Sequence, residues 1–120
     1  MVICEMVMRD EATKNVSLVG LFNRISGPGL PIFRDRLHVF LCLTDGHGRQ
    51  PFRLECKAPD ESVVFEAKGE ITFGDPLEVA DLNIEIRGLL FPAAGNYAFE
   101  FFCGGELLIM RRFSVVVEER

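Results

Sequence analysis

Tryptophan is missing from this 120-residue chain, tyrosine occurs once, at Tyr97, and the only histidines are His38 and His47. Two imidazoles leave little material for a zinc centre. Asp45 and His47, even joined by Cys42, do not make the four-ligand set that such a site needs. Cations are also in deficit, with 13 lysines and arginines against 18 acidic residues and a net charge of −5. Arg34 with Arg36, and Arg111 with Arg112, are isolated pairs and not a basic stripe. A nucleic-acid partner is therefore not expected. No apolar run approaches the length of a membrane helix. The start, MVICEMVMRDE, lacks a basic segment followed by a signal-length apolar run. No membrane partner is expected.

The four cysteines, Cys4, Cys42, Cys56 and Cys103, include no close pair. Each lies in or beside an apolar segment, where a free thiol behaves as a small hydrophobe. Spacing leaves cross-sheet disulfides open. Buried, reduced thiols in a cytoplasmic protein are the expectation.

Signatures of catalysis are equally scarce. Ser17, Ser26, Ser62 and Ser114 sit in no G-x-S-x-G elbow. Gly27-Pro28-Gly29 has neither the length nor the Lys-Ser/Thr ending of a phosphate loop, and no dinucleotide fingerprint occurs. Cys42 has histidines nearby in sequence, which supplies neither an aligned base nor an oxyanion hole. Carboxylates cluster where the chain turns: Asp10 with Glu11, Asp60 with Glu61, and Asp75 with Asp81 around a third connection. Gathered at one end of the fold they could hold a hard cation. Kept apart, they serve their own turns. No cofactor or metal is expected.

What the chain does have is core material: 48% hydrophobic residues, eleven of them phenylalanine. The apolar positions recur with a period near two, the signature of strands. Leu37, Val39 and Leu41 share one face of a segment, with His38 and Phe40 on the other. Phe52, Leu54 and Cys56 alternate with Arg53, Glu55 and Lys57. Leu82, Ile84 and Ile86 alternate with Asn83, Glu85 and Arg87. Tyr97, Phe99 and Phe101 alternate with Ala98, Glu100 and Phe102. Val16 to Ile25 extends as a single strand, and Gly69 marks a bulge in the strand that begins at Val63. Asp75 and Pro76 bound a further connection. Gly104-Gly105 suits a tight hairpin. The last strand, from Glu106, carries Leu107 and Ile109 inward and needs a bulge near Met110 to Arg112.

These segments predict an all-β fold, with residues 1–120 as a single domain. Seven or eight strands would form a two-sheet antiparallel β-sandwich with Greek-key or immunoglobulin-like connectivity. The disulfide and tryptophan of true immunoglobulin domains are absent.

Cys4-Glu5, the run EATKNVSLVGLFNRI and the run LNIEIRGLLFPAAGNYAFEFFCGGELL together resemble an uncharacterised bacterial family of small β-rich, sandwich-like proteins. The resemblance extends from Cys4 to Val116. It implies the same fold and a bacterial setting, and it carries over no catalytic residue, ligand or substrate.

A non-catalytic protein-binding or assembly module is the leading functional expectation, with a protein partner or self-association. Its candidate binding residues are Phe102, Glu106 and Phe40. Phe102 and Phe40 are aromatics on otherwise polar phases, each either a contact residue or an aromatic covered by a neighbouring segment. Glu106 follows the glycine hairpin. The competing expectation is a small hydrolase-like or metal-dependent enzyme with loop-borne carboxylates and histidines.

Overall fold

Alternating segments can bury their apolar phases only by facing one another, and the chain does this with two sheets. The computed structural model describes residues 1–75 and 77–118. Pro76, read from sequence as bounding a connection, lies outside the described residues. The strands are β1 (Val2–Arg9), β2 (Val16–Leu21), β3 (Arg24–Gly27), β4 (Ile32–Leu43), β5 (Gly48–Lys57), β6 (Val63–Phe73), β7 (Ala80–Phe91), β8 (Gly95–Cys103) and β9 (Glu106–Val117). One sheet has the order β2-β1-β4-β7, the other β3-β9-β8-β5-β6. All neighbours are antiparallel except β3 and β9, which run parallel.

The expected seven or eight strands are thus nine among the described residues, and the sheets are mostly, not wholly, antiparallel. Both corrections have one origin. The segment expected as a single strand from Val16 to Ile25 is broken at Phe22 and Asn23, where the chain leaves one sheet for the other. Phe22 packs against the core, and the Asn23 carbonyl accepts a hydrogen bond from the Ser114 amide at 3.0 Å.

The inner faces meet in one buried cluster. Ile3, Leu37, Val39, Leu41 and Ile86 come from the four-stranded sheet, and Leu54, Tyr97, Phe99, Phe101 and Phe113 from the five-stranded one. Aromatic rings dominate its centre. Phe99 stacks on Phe113 at 5.2 Å between centroids, and Phe91 meets Tyr97 edge-on at 5.3 Å. The Tyr97 hydroxyl is buried and donates back to the Ala93 carbonyl at 2.8 Å, which ties the β7–β8 turn to the strand that follows. Near Gly88 the inward phase changes on β4 and β7 together. Ile86 is buried, then Leu89 and Phe91; opposite them, Leu37 is buried, then Ile32. Because both strands shift, their register is unbroken from Leu41↔Leu82 to Ile32↔Phe91.

Two expected bulges fall elsewhere. Gly69 pairs regularly with Phe52. Its lack of a side chain instead admits the Phe52 ring, whose Cζ lies 2.6 Å from where a Cβ would stand. The bulge expected near Met110 to Arg112 sits closer to the hairpin. Phe101 pairs with Ile109 but Phe102 with Leu107, so Leu108 is the extra residue.

His38 points away from the core, as its phase required, but it is buried at 6% exposure and its Nδ1 lies 3.0 Å from Asn83 Oδ1. Along β6, at one end of the five-stranded sheet, Glu66, Lys68 and Glu70 are exposed.

Candidate interaction surface at the β8–β9 hairpin

Gly104 and Gly105 make the turn with φ of 61° and 85°. Two successive positive values are what a two-residue hairpin of this twist requires, and only glycine takes both without strain. The turn closes with Cys103 opposite Glu106. It is tied to β5 through the Gly104 amide, which donates to the Pro51 carbonyl at 2.9 Å.

Phe102 lies on the outer face of the five-stranded sheet, half-buried, opposite Arg53 on one side and Leu107 on the other. The Arg53 guanidinium carbon stands 4.2 Å from the ring centroid, a cation–π contact. The rest of this face is a self-neutralising ladder. Arg53 Nε lies 3.3 Å from Glu55, and Lys57 Nζ lies 2.7 Å from Glu100. The hydrogen bond it donates to Glu100 pushes the Lys57 ammonium above its ordinary range. Glu106 is exposed at the head of β9. Phe102 and Glu106 therefore come together at the hairpin. Phe40 does not join them. It lies on β4 in the other sheet and is only 7% exposed, because the middle of a sheet is covered by its neighbours even on the outer face.

The strand edge beside Glu106 is open. Strand β3 covers only Ser114 to Val117 of β9. The Ser114 amide is directed toward β3. Backbone groups alternate sides along a strand, so Arg112 and Met110 aim theirs to the same side. No strand among the described residues meets them there.

Leu107, Leu108, Ile109 and Met110 line this segment with exposures of 50%, 52%, 37% and 42%. Leu107 and Ile109, expected to face inward, are a correction: the bulge at Leu108 sets Leu107 opposite the outward Phe102, and Ile109, opposite Phe101, is left exposed because no described strand lies beside it. Sequence reasoning missed all four as surface residues. Their signal is four successive apolar residues without alternation, in a twelve-residue strand paired to one of nine.

The remaining candidates stay apart. Asp10 Oδ1 accepts the Ala12 and Thr13 amides at 2.9 Å each, Asp60 Oδ1 accepts the Ser62 amide at 3.0 Å, and Asp75 Oδ1 accepts the Leu77 amide at 2.9 Å. Each carboxylate shapes its own turn; the Thr13 and Ala12 amides hold Asp10, and the Ser62 hydroxyl and then its amide hold Asp60, below the usual carboxylate range. Among the described residues, no three His, Cys, Asp or Glu side chains gather as metal ligands. Asp45 and His47 are exposed in the β4–β5 connection.

All four cysteines are free. Cys4 and Cys56 are buried, as expected, while Cys42 is exposed and donates to Asp81 Oδ1 at 3.2 Å. A concavity beside β1, β3 and β4 is lined by Arg24, Arg34, Arg36 and Glu5. Two of its three guanidinium groups are engaged locally: Arg34 with the Ser26 carbonyl at 2.7 Å and Arg36 with Glu85 at 3.7 Å. No helix among the described residues is long and apolar enough to cross a membrane.

Comparison with curated proteins and with solved structures finds no match. A family model does match, over residues 1–116, so the resemblance to an uncharacterised β-rich family has a definite counterpart: the chain belongs to DUF6941, a family of unknown function.

Proposed function

We propose that this protein is a non-catalytic binding or assembly module that accepts a partner strand along the open edge of β9. The observation that carries the reading is the coincidence of unpaired backbone groups with four exposed apolar side chains from Leu107 to Met110. Backbone pairing supplies affinity in strand addition, and alternate side chains supply selectivity. Phe102 adds apolar area beside Leu107, and Glu106 selects by charge. The same reading takes the chain as one β-sandwich domain working in the cytoplasm, supported by a core shared between the sheets and by four unpaired thiols.

The test compares wild type with Ile109→Lys, each immobilised and exposed to a native lysate, with captured proteins identified by mass spectrometry. Both baits must give the same circular dichroism. A partner retained by wild type and lost by the variant is the expected result. Equal capture by both overturns the assignment of β9. Saturable hydrolysis by the purified protein, unaffected by Ile109→Lys, would favour the enzyme reading instead.

A further inference from the structure

We propose that the concavity between β3 and β4 is a binding site for a small phosphate monoester, held by Arg24, Arg34 and Arg36. The site is separate from the β8–β9 hairpin and does not depend on the function assigned to that edge.

The opening follows from the way the two sheets end. Strand β1 pairs with β4 only from Val2 to Cys4, opposite Phe40 to His38. From Leu37 to Ile32, β4 has β7 on one side and no described strand on the other. Strand β3 is the end strand of the facing sheet. Two strand edges thus face each other without a third strand to close them, and a concavity of about 260 Å³ remains. The buried side chains of Ile25 and Leu37 give it an apolar lining.

Three arginines and a single acid, Glu5, complete its wall. Among the described residues, Glu5 forms an ion pair with none of the three, and Arg24 has no ion pair. Arg34 is half-buried, yet its partners are neutral. One amino group donates to the Phe33 carbonyl at 3.2 Å and the other to the Ser26 carbonyl at 2.7 Å. The second bond crosses from β4 to β3 and fixes the guanidinium beside the opening. Its Nε–H and one N–H on each amino group are left to meet a ligand. Arg36 is held loosely, its Nε 3.7 Å from a Glu85 oxygen that Arg87 already engages at 2.6 Å. Turning Arg36 toward an anion therefore leaves Glu85 paired.

A charge withdrawn from water is ordinarily matched by an opposite one, and no described carboxylate does this for Arg34. The lining carries three cations against one anion, an excess that suits a dianion. A phosphate monoester bears about −1.5 to −2 near pH 7, and its oxygens accept the planar guanidinium fork in pairs. A carboxylate brings only one charge. The net charge of −5 opposes anions elsewhere on the protein, so binding must come from this cluster. The apolar lining favours a phosphate on a short carbon chain over one on a peptide, whose amides would go unpaired there. The volume falls below the roughly 300 Å³ from which pockets for drug-sized ligands start, so the ligand is small.

Isothermal titration calorimetry of the full chain with butyl phosphate tests the site. Pentanoate, inorganic phosphate and N-acetyl-O-phosphoserine methylamide are the comparators. Butyl phosphate is expected to saturate a single site near or below roughly 1 mM, with each comparator about tenfold weaker. Arg24→Gln and Arg34→Gln should each weaken binding about tenfold. Arg49→Gln makes the same change of charge at an exposed position on β5 and should leave binding unaltered. Circular dichroism verifies each fold. Arg24 is exposed, so its variant carries the test even where Arg34→Gln loosens the contact between β3 and β4.

No saturation by about 10 mM, pentanoate binding as tightly as butyl phosphate, or an equal loss in Arg49→Gln overturns the site. So does a folded Arg24→Gln protein that binds like wild type. Inorganic phosphate as tight as butyl phosphate overturns the monoester. Tighter binding of the phosphoserine derivative overturns the small molecule and makes a phosphorylated protein the ligand.

Discussion

The guanidinium of Arg53 lies over the ring of Phe102, 4.2 Å from its centroid, so the aromatic at the hairpin already has a partner within its own sheet. Phe102→Ala removes that contact and part of the surface beside Leu107. Its expected cost in equilibrium unfolding is about 1 kcal/mol, the scale of a half-exposed cation–π pair. Partner binding should weaken in the same protein. A loss of stability above about 3 kcal/mol would assign the ring to the core instead, and unchanged affinity in the folded variant would remove it from the contact surface.

Phe99 is fully buried and stacked on Phe113. Phe99→Ala should cost ~3–5 kcal/mol through lost transfer energy and the cavity left behind. Urea unfolding of the two proteins measures this directly, and a change below about 1 kcal/mol would contradict the central place given to this ring.

Gly69→Ala sets a methyl group against the Phe52 ring and should destabilise the β5–β6 pair by about 1–3 kcal/mol, the range for overpacking. Combining it with Phe52→Ala removes the clash. The two costs should then be far from additive in a double-mutant cycle. Additive costs would mean that the ring is not what holds position 69 to glycine.

Burial pushes the Cys56 thiol up to about 12. Below its ordinary value of 9.0 the thiol is protonated in both folded and unfolded chains and does not bias the equilibrium. As pH rises past that value the unfolded chain ionises while the folded one does not. Stability falls by up to about 1.4 kcal/mol per pH unit until the folded thiol also titrates. Cys56→Ala should flatten this alkaline decline relative to wild type when unfolding is followed between pH 8 and roughly 10.5.

Thiol reagents should show the same contrast. Exposed Cys42 reacts in the native protein, more slowly than a free thiol because partial burial and then Asp81 hold its proton. Cys4 and Cys56 should react only on unfolding. Four equally fast thiols in the native state would contradict the burial described here.

Much of this architecture is legible in local pattern. Leu37, Val39 and Leu41, or Tyr97, Phe99 and Phe101, reveal their inward face because a strand alternates with period two and one face is dry. The glycine pair at 104 and 105 identifies its hairpin for an equally local reason. Relations between distant segments leave no such trace. Nothing near Arg24 or Ser114 signals that β3 and β9 lie parallel, since that pairing spans most of the chain. Phase also tells direction but not depth. His38 and Phe40 face outward as expected and are buried all the same, because they occupy a central strand. The surface at Leu107 to Met110 was hidden for the complementary reason. Apolar character suggests the interior, and only the sheet order shows that this part of β9 has no neighbour.

The two ends of the five-stranded sheet differ in kind. At one end β9 offers its apolar segment; at the other, β6 carries exposed Glu66, Lys68 and Glu70. A fibre grows along the hydrogen-bonding direction only if each added unit presents a fresh adhesive end. Here a strand that joins β9 leaves β6 as the exterior of the enlarged sheet, and its alternating charges discourage another addition. In the proposed strand addition the asymmetry works as a terminator: one edge accepts a strand without committing the population to polymerisation.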